Sequence, residues 1–221
     1  KLAEQNNNLR AAVGVHPSEW NGLDFQTTRK QIEKITKNLK KIIQEHNVAA
    51  IGETGLDFFR IETADAQSRE NQAAAFRAHI ALADEHALPL IIHARDTTDE
   101  AYTAILENLK KYKKNDTPVI LHCMSGPVEY IKEAVRRGYF FGVAGNVTYK
   151  NADELRKKVA LVPPGQLLLE TDAPFLPPNA HRGEVCQPYF IAETAEYVRA
   201  KLNRDLEEIY QTTCRVFGAH T

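Results

Sequence analysis

Apolar residues along this chain fall into two alternating kinds of pattern. Short unbroken apolar runs occur at 11–15, 48–52, 90–92, 119–121, 139–143 and 167–169, and they predict strands. Between several of them, apolar positions recur at three- and four-residue steps. Over 27–45 these are Ile32, Ile35, Leu39, Ile42 and Ile43; over 68–86 they are Ala73, Phe76, Ile80 and Ala83. Each set predicts a helix with one face in the core. Further helices are predicted over 99–113, 128–137, 152–159, 189–202 and 206–217. The first of these segments ends in a lysine-rich turn, Gly138 supplies a stop for the second, and Asp205 an N-cap for the last. Residues 174–188, rich in Pro, His, Arg and Gly, are the longest irregular stretch.

Strands alternating with helices build βαβ units and hence a parallel sheet. A (β/α)8 barrel needs eight strands and typically about 250 residues, whereas six strand patterns occupy 221 residues here. The only methionine is Met124, so Lys1 is not a translation start, and Leu2-Ala3-Glu4-Gln5 reads as a helix already under way. The expectation is one α/β domain over 1–221, a TIM-type barrel with about six βα units present and roughly two missing from its N-terminus. A doubly wound sheet would gather its ligand at a single switch point, usually with a glycine-rich first turn. Chemistry-bearing residues at five strand ends fit a barrel mouth better.

Composition narrows the function classes. Net charge is −1 with 26% charged residues, so no global basic field draws in nucleic acid and any polyanion must be held locally. The apolar runs fall far short of a membrane span and no signal-peptide pattern opens the chain, which makes the expected address cytoplasmic. Cys123, Cys186 and Cys214 are isolated and odd in number, which argues against a disulfide scaffold.

The candidate chemistry lies where the strands stop. The apolar runs end at His16, Glu53, His93, His122 and, past Glu170-Thr171, at Asp172. Glu53, His93, His122 and Asp172 make a mixed nitrogen and oxygen set that suits Zn²⁺ or Mn²⁺, and Mg²⁺ if carboxylates bridge and waters complete the shell. Singly, each has an ordinary alternative: a hydrogen-bonded structural histidine, an N-cap or ion-pair glutamate, an Asx turn at Asp172. Together, those alternatives would need unrelated partners at one edge of one sheet. The role of His16 is open between ligand, acid-base group and phosphate contact. Arg95 is a candidate phosphate clamp, or else a partner of Asp96 or Asp99; Arg182 is a candidate substrate contact, or an ordinary loop arginine. Asp57 either orients a ligand or turns a loop. Ser125-Gly126 reads as a turn into the next helix. His46, His79, His86, His181 and His220 have no companion spacing, and no nucleophile elbow, P-loop or dinucleotide fingerprint is present.

These residues carry a resemblance. Gly14-Val15-His16-Pro17, Ile51-Gly52-Glu53-Thr54-Gly55-Leu56-Asp57, Pro89-Leu90-Ile91-Ile92-His93-Ala94-Arg95-Asp96, Leu121-His122-Cys123-Met124-Ser125-Gly126 and Leu169-Glu170-Thr171-Asp172-Ala173-Pro174-Phe175-Leu176 span almost the whole chain. In order and spacing the sequence resembles the TatD family of metal-dependent deoxyribonucleases, within the amidohydrolase-like barrels. The resemblance implies Glu53 as a ligand shared by two metals, His93 and His122 as ligands of one, Asp172 as a ligand near the attacking water, and His16 near the substrate phosphate. Two features depart from the family. The first-strand His-x-His pair of many members is not in this sequence, and the usual Arg-Gly-Lys-Arg-Asn-Glu/Gln-Pro reads Arg182-Gly183-Glu184-Val185-Cys186-Gln187-Pro188.

The expected function is therefore a metal-dependent deoxyribonuclease, an exonuclease acting on a single strand or strand end through one or two divalent ions, with Asp172 and His16 as catalytic residues. The alternatives are a hydrolase of ester, amide or aminoacyl substrates on the same barrel, and an inactive shortened form. Metal content, and assay of a phosphodiester against an ester, separate the three.

Overall fold

The structure, a computed structural model, describes residues 2–6, 9–59 and 65–218; His220 lies outside the described residues. The chain runs α1 (Leu2–Gln5), β1 (Ala11–Val13), α2 (Phe25–Glu45), β2 (Val48–Asp57), α3 (Ala66–His86), β3 (Leu90–Arg95), α4 (Glu100–Tyr112), β4 (Val119–Leu121), α5 (Val128–Arg136), β5 (Phe140–Val143), α6 (Asp153–Ala160), β6 (Leu167–Leu169), α7 (Ile191–Leu202) and α8 (Leu206–Phe217). The strands follow chain order in a six-stranded sheet, β1 through β6. This is the alternating α/β pattern that the apolar runs predict. The chain divides into two compact units, 1–119 and 120–221.

In the first unit, β1 pairs parallel with β2 and β2 with β3, with Val13 opposite Ile51, Gly55 opposite His93 and Asp57 opposite Arg95. Strand β2 does not stop at Glu53. It runs on to Asp57 because Thr54 and Leu56, inside an outwardly polar stretch, are buried. Gly55 makes that continuation possible: its φ is +136°, and a Cβ there would collide with the His93 carbonyl. Helix α3 packs on β2, and α2 packs on α3. The unit's fully buried side chains include Ile51, Leu56, Phe76, Ile80, Leu90 and Ile92. Helix α4 begins a residue later than predicted, and its cap comes from Asp96, whose carboxylate accepts from Thr98 N at 3.1 Å and Ala101 N at 2.9 Å.

In the second unit, β4 pairs parallel with β5 (Leu121 opposite Phe141) and β5 with β6 (Gly142 opposite Leu168), while α8 packs on β6. Ile131, Phe141, Val147, Val159, Leu167 and Val198 are fully buried. Gly138, at φ +75°, ends α5 with its N–H on Val135 O, and Asp205 caps α8 through Glu207 N at 2.9 Å. None of the three cysteines forms a disulfide. Among the described residues no helix is long and apolar enough to cross a membrane.

Candidate metal centre

The chemistry-bearing side chains form two groups, one in each unit, with the same internal plan. In the first unit His93, on β3, has a carboxylate at each ring nitrogen. Glu53 Oε1 lies 2.7 Å from Nδ1 and Asp57 Oδ2 lies 3.1 Å from Nε2. Strand β2 supplies both acids; because side chains alternate along a strand, positions 53 and 57 share a face. His16, just past β1, sets its ring 4.5 Å from that of His93 at 71°.

The helix behind β2 fixes this group through the backbone. Gln72 accepts from Asp57 N at 2.8 Å and donates to Asp57 O at 2.9 Å, while a third bond reaches Asn21 Oδ1 at 2.8 Å. Asn71 donates to Trp20 O at 3.2 Å and Leu23 O at 2.8 Å, holding the turn that follows His16. His79 accepts from Val15 N at 3.2 Å through Nε2, and its Nδ1 lies 2.8 Å from Ala75 O, which it donates to. Burial pushes the His79 pKa down, so this histidine is a neutral clasp on the residue before His16.

The electrostatics follow from the geometry. Burial opposes charge on His93 most strongly, but the bonds to Asp57 and Glu53 outweigh it, and its pKa lies above the ordinary histidine value. Burial raises Asp57, yet the His93 bond and charge win and its pKa falls. His16 is pushed down, first by burial and then by the neighbouring His93 charge. Its Nδ1 accepts from Ser18 N at 3.2 Å, so neutral His16 carries its proton on Nε2 and offers an N–H donor.

In the second unit His122 repeats the arrangement. Glu170 Oε2 lies 2.9 Å from Nδ1 and Asp172 Oδ1 lies 3.2 Å from Nε2. Cys123 N donates to the other Glu170 oxygen at 2.5 Å, fixing the carboxylate. Gly142 leaves the room Glu170 needs, since a Cβ there would collide with its carboxyl group.

Sequence reasoning did not assign Glu170 a role, although it stands two residues before Asp172 in the same motif, and it left Asp57 between two roles. The structure puts both acids on a candidate histidine. The two arginines stack on aromatic rings: Arg95 Cζ is 3.9 Å from the Phe59 centroid, and Arg182 Cζ is 4.2 Å from that of Tyr149. Asp96, one of the partners weighed for Arg95, is engaged in capping α4. His181 is no isolated loop residue. Its Nε2 lies 2.5 Å from Glu193, its Nδ1 lies 3.1 Å from Glu184, and its ring stacks on Phe190 at 3.8 Å.

Donor chemistry fits a divalent cation. His16, Asp57 and His93 each offer a donor atom, all within 4.8 Å of one another. Two ligands of one tetrahedral ion with bonds of about 2.0–2.2 Å stand roughly 3.3 Å apart. The His93 to Asp57 separation of 3.1 Å and the His122 to Asp172 separation of 3.2 Å match that spacing. A carboxylate on the far ring nitrogen of each histidine is the support that metal-bound imidazoles receive, since it fixes the tautomer and raises basicity.

The sequence matches the family profile described as "TatD related DNase" over residues 1–218. The chain belongs to the TatD family. A Mycobacterium tuberculosis relative named an uncharacterized metal-dependent hydrolase, TatD, is 35% identical over 210 residues, which is 95% of this chain and 75% of that protein. An Erwinia tasmaniensis relative named 3′-5′ ssDNA/RNA exonuclease TatD is 33% identical over 197 residues, 84% of this chain and 69% of that protein. Among solved structures, the Escherichia coli TatD homologue YJJV matches with a TM-score of 0.79 at 28% identity, covering 99% of this chain and 80% of that one. The TatD likeness places this α/β architecture with the TIM-type barrels, as the strand and helix alternation predicts.

Proposed function

We propose that this TatD protein is a metal-dependent nuclease that hydrolyses phosphodiester bonds of single-stranded nucleic acid from a strand end, DNA foremost. The observation that carries the reading is the paired-carboxylate plan around His93 and His122. It provides nitrogen and oxygen donors at ion-coordinating spacing, each histidine braced from behind. The names of the family and of the Erwinia relative support phosphodiesters over other esters.

In this proposal His93 and Asp57 in the first unit, and His122 and Asp172 in the second, face the metal on the Nε2 side. Glu53 and Glu170 complete the two groups from the Nδ1 side of each ring. When bound, a divalent ion supplies positive charge that acidifies water and offsets charge on the phosphate. Asp172 accepts the proton of the attacking water. His16 donates its Nε2–H to a phosphate oxygen, because Ser18 occupies Nδ1 and burial keeps the ring neutral. Arg95 and Arg182, both exposed, contact flanking phosphates with guanidinium edges while their faces rest on Phe59 and Tyr149. A net charge of −1 gives no long duplex footprint, which favours a strand end.

The test is degradation of an end-labelled single-stranded oligonucleotide by the protein as prepared, after chelation, and after return of Mg²⁺, Mn²⁺ or Zn²⁺, beside a carboxylic ester and an aminoacyl ester. Loss on chelation with recovery on metal return, and no turnover of the esters, is the expected result. Cleavage by the chelated protein overturns the reading. Preference for an ester moves the protein to the other hydrolase class on the same barrel.

A further inference from the structure

Each candidate histidine's aspartate also anchors an exposed phenylalanine. Phe59 N donates to Asp57 Oδ1 at 3.0 Å, and the Phe59 side chain is 42% exposed. Phe175 N donates to Asp172 O at 2.6 Å, and Phe175 is 67% exposed. A phenyl ring left in water beside a polar site gains nothing for the fold, whereas its neighbour Phe58 is buried. Phe59 is also stiffened: Phe58 N continues the strand ladder onto Arg95 O at 2.8 Å, and the Arg95 guanidinium lies over the Phe59 ring at 3.9 Å. One face of that ring is thereby covered by a cation, and the exposed remainder is open to a planar group.

We infer that Phe59 in the first unit and Phe175 in the second are base-stacking residues, each holding an unpaired base of single-stranded nucleic acid beside the metal-binding aspartate of its own unit. This deepens the nuclease reading and rests on it for the identity of the ligand. Stacking suits a protein of net charge −1, which lacks the electrostatic attraction by which basic proteins gather polyanions. Every base has a π-face, so such a contact is indifferent to base identity and to the 2′-hydroxyl, and it is closed to paired bases. A guanidinium behind one ring adds cation–π attraction to the same stack.

The test uses the full chain and a single-stranded oligonucleotide carrying 2-aminopurine at its 3′ end, whose fluorescence is quenched by stacking. A matched oligonucleotide, abasic over its 3′ end, has phosphates but no bases there. Phe59→Ala and Phe175→Ala are expected to lose quenching and to weaken binding of the normal strand by about fivefold or more each. The same variants bind the abasic strand as the parent does, and Phe59→Trp keeps the quench. Phe25→Ala and Tyr210→Ala remove aromatics that are 61% and 51% exposed but are not bonded to either aspartate, and these leave binding unchanged. Equal binding of normal and abasic strands by the parent, or undiminished quenching in both phenylalanine variants, overturns the inference. Phenylalanine-dependent quenching without cleavage in any divalent metal would instead sink the nuclease reading while the stacking site stands.

Discussion

Gln72 grips the backbone of Asp57 from both sides, accepting from its N–H at 2.8 Å and donating to its carbonyl at 2.9 Å, from a side chain that is 0% exposed. One buried amide thus does what a neighbouring strand would do for one residue, and it does so at the residue whose carboxylate holds His93. The Asp57 side chain stays free for chemistry because its backbone is satisfied by α3.

Removing that amide leaves Asp57 N–H and Asp57 C=O without their partner, while Asn21, which is exposed, turns to water. Each orphaned backbone group costs about 1–3 kcal/mol where water cannot reach it, and the effects do not add fully. Gln72→Leu is therefore expected to lose roughly 2–4 kcal/mol of unfolding free energy, read as a lower urea midpoint with unchanged slope. It should also weaken metal binding although Gln72 touches no ion. An unchanged midpoint would show that Asp57 is held by something else.

Metal binding should be measurable without turnover. An ion that binds only the folded protein stabilises it by about 2.7 kcal/mol at a hundredfold excess over its Kd. Thermal unfolding of chelated protein titrated with Zn²⁺ or Mn²⁺ should show this rise, and His93→Gln should reduce it sharply. Comparing Glu53→Gln with Asp57→Asn separates ligand from brace: the larger loss of affinity is expected at Asp57. The opposite order would make Glu53, with His93, the coordinating pair and Asp57 the brace.

How far the sequence disclosed this site differs from residue to residue. The site positions His16, Glu53, His93 and His122 were legible because apolar runs stop abruptly there, although β2 and β3 themselves run on to Asp57 and Arg95. Asp57 was obscured because Thr54 and Gly55 give the stretch a loop-like polarity, although burial carries the strand through it. Gln72 and His79 left a fainter trace. They lie four residues before Phe76 and Ala83, on the apolar face of α3, where a polar side chain must find a buried partner. The pattern shows that such a partner exists. It cannot show that the partners are the backbones of Asp57 and Val15, because those contacts depend on how a helix is laid across a strand.

Gly142 is the clearest packing constraint of the second group. A methyl group there enters the space of the Glu170 carboxylate, which accepts from Cys123 N and lies 2.9 Å from His122 Nδ1. Gly142→Ala is expected to cost about 1–3 kcal/mol from overpacking. Glu170→Gln keeps the volume and loses only the charge, so it should fold with a smaller loss. Equal melting temperatures for Gly142→Ala and its parent would mean that Glu170 has another place to go.

The loop after β6 carries a pH dependence whose sign follows from His181. The Glu193 bond raises its pKa above 6.5, burial opposes, and Glu184 adds to the rise; the ring meanwhile stacks on Phe190. A histidine with a raised folded pKa adds stability that is fully present below its unfolded value of about 6.5. That contribution is lost as pH climbs through the raised folded value. The difference in stability between the parent and His181→Gln should therefore be largest in mild acid and shrink above neutrality, measured as urea midpoints across a pH series. Taking the difference removes groups that titrate alike in both proteins. A gap that widens with pH would mean that His181 is held as the neutral ring.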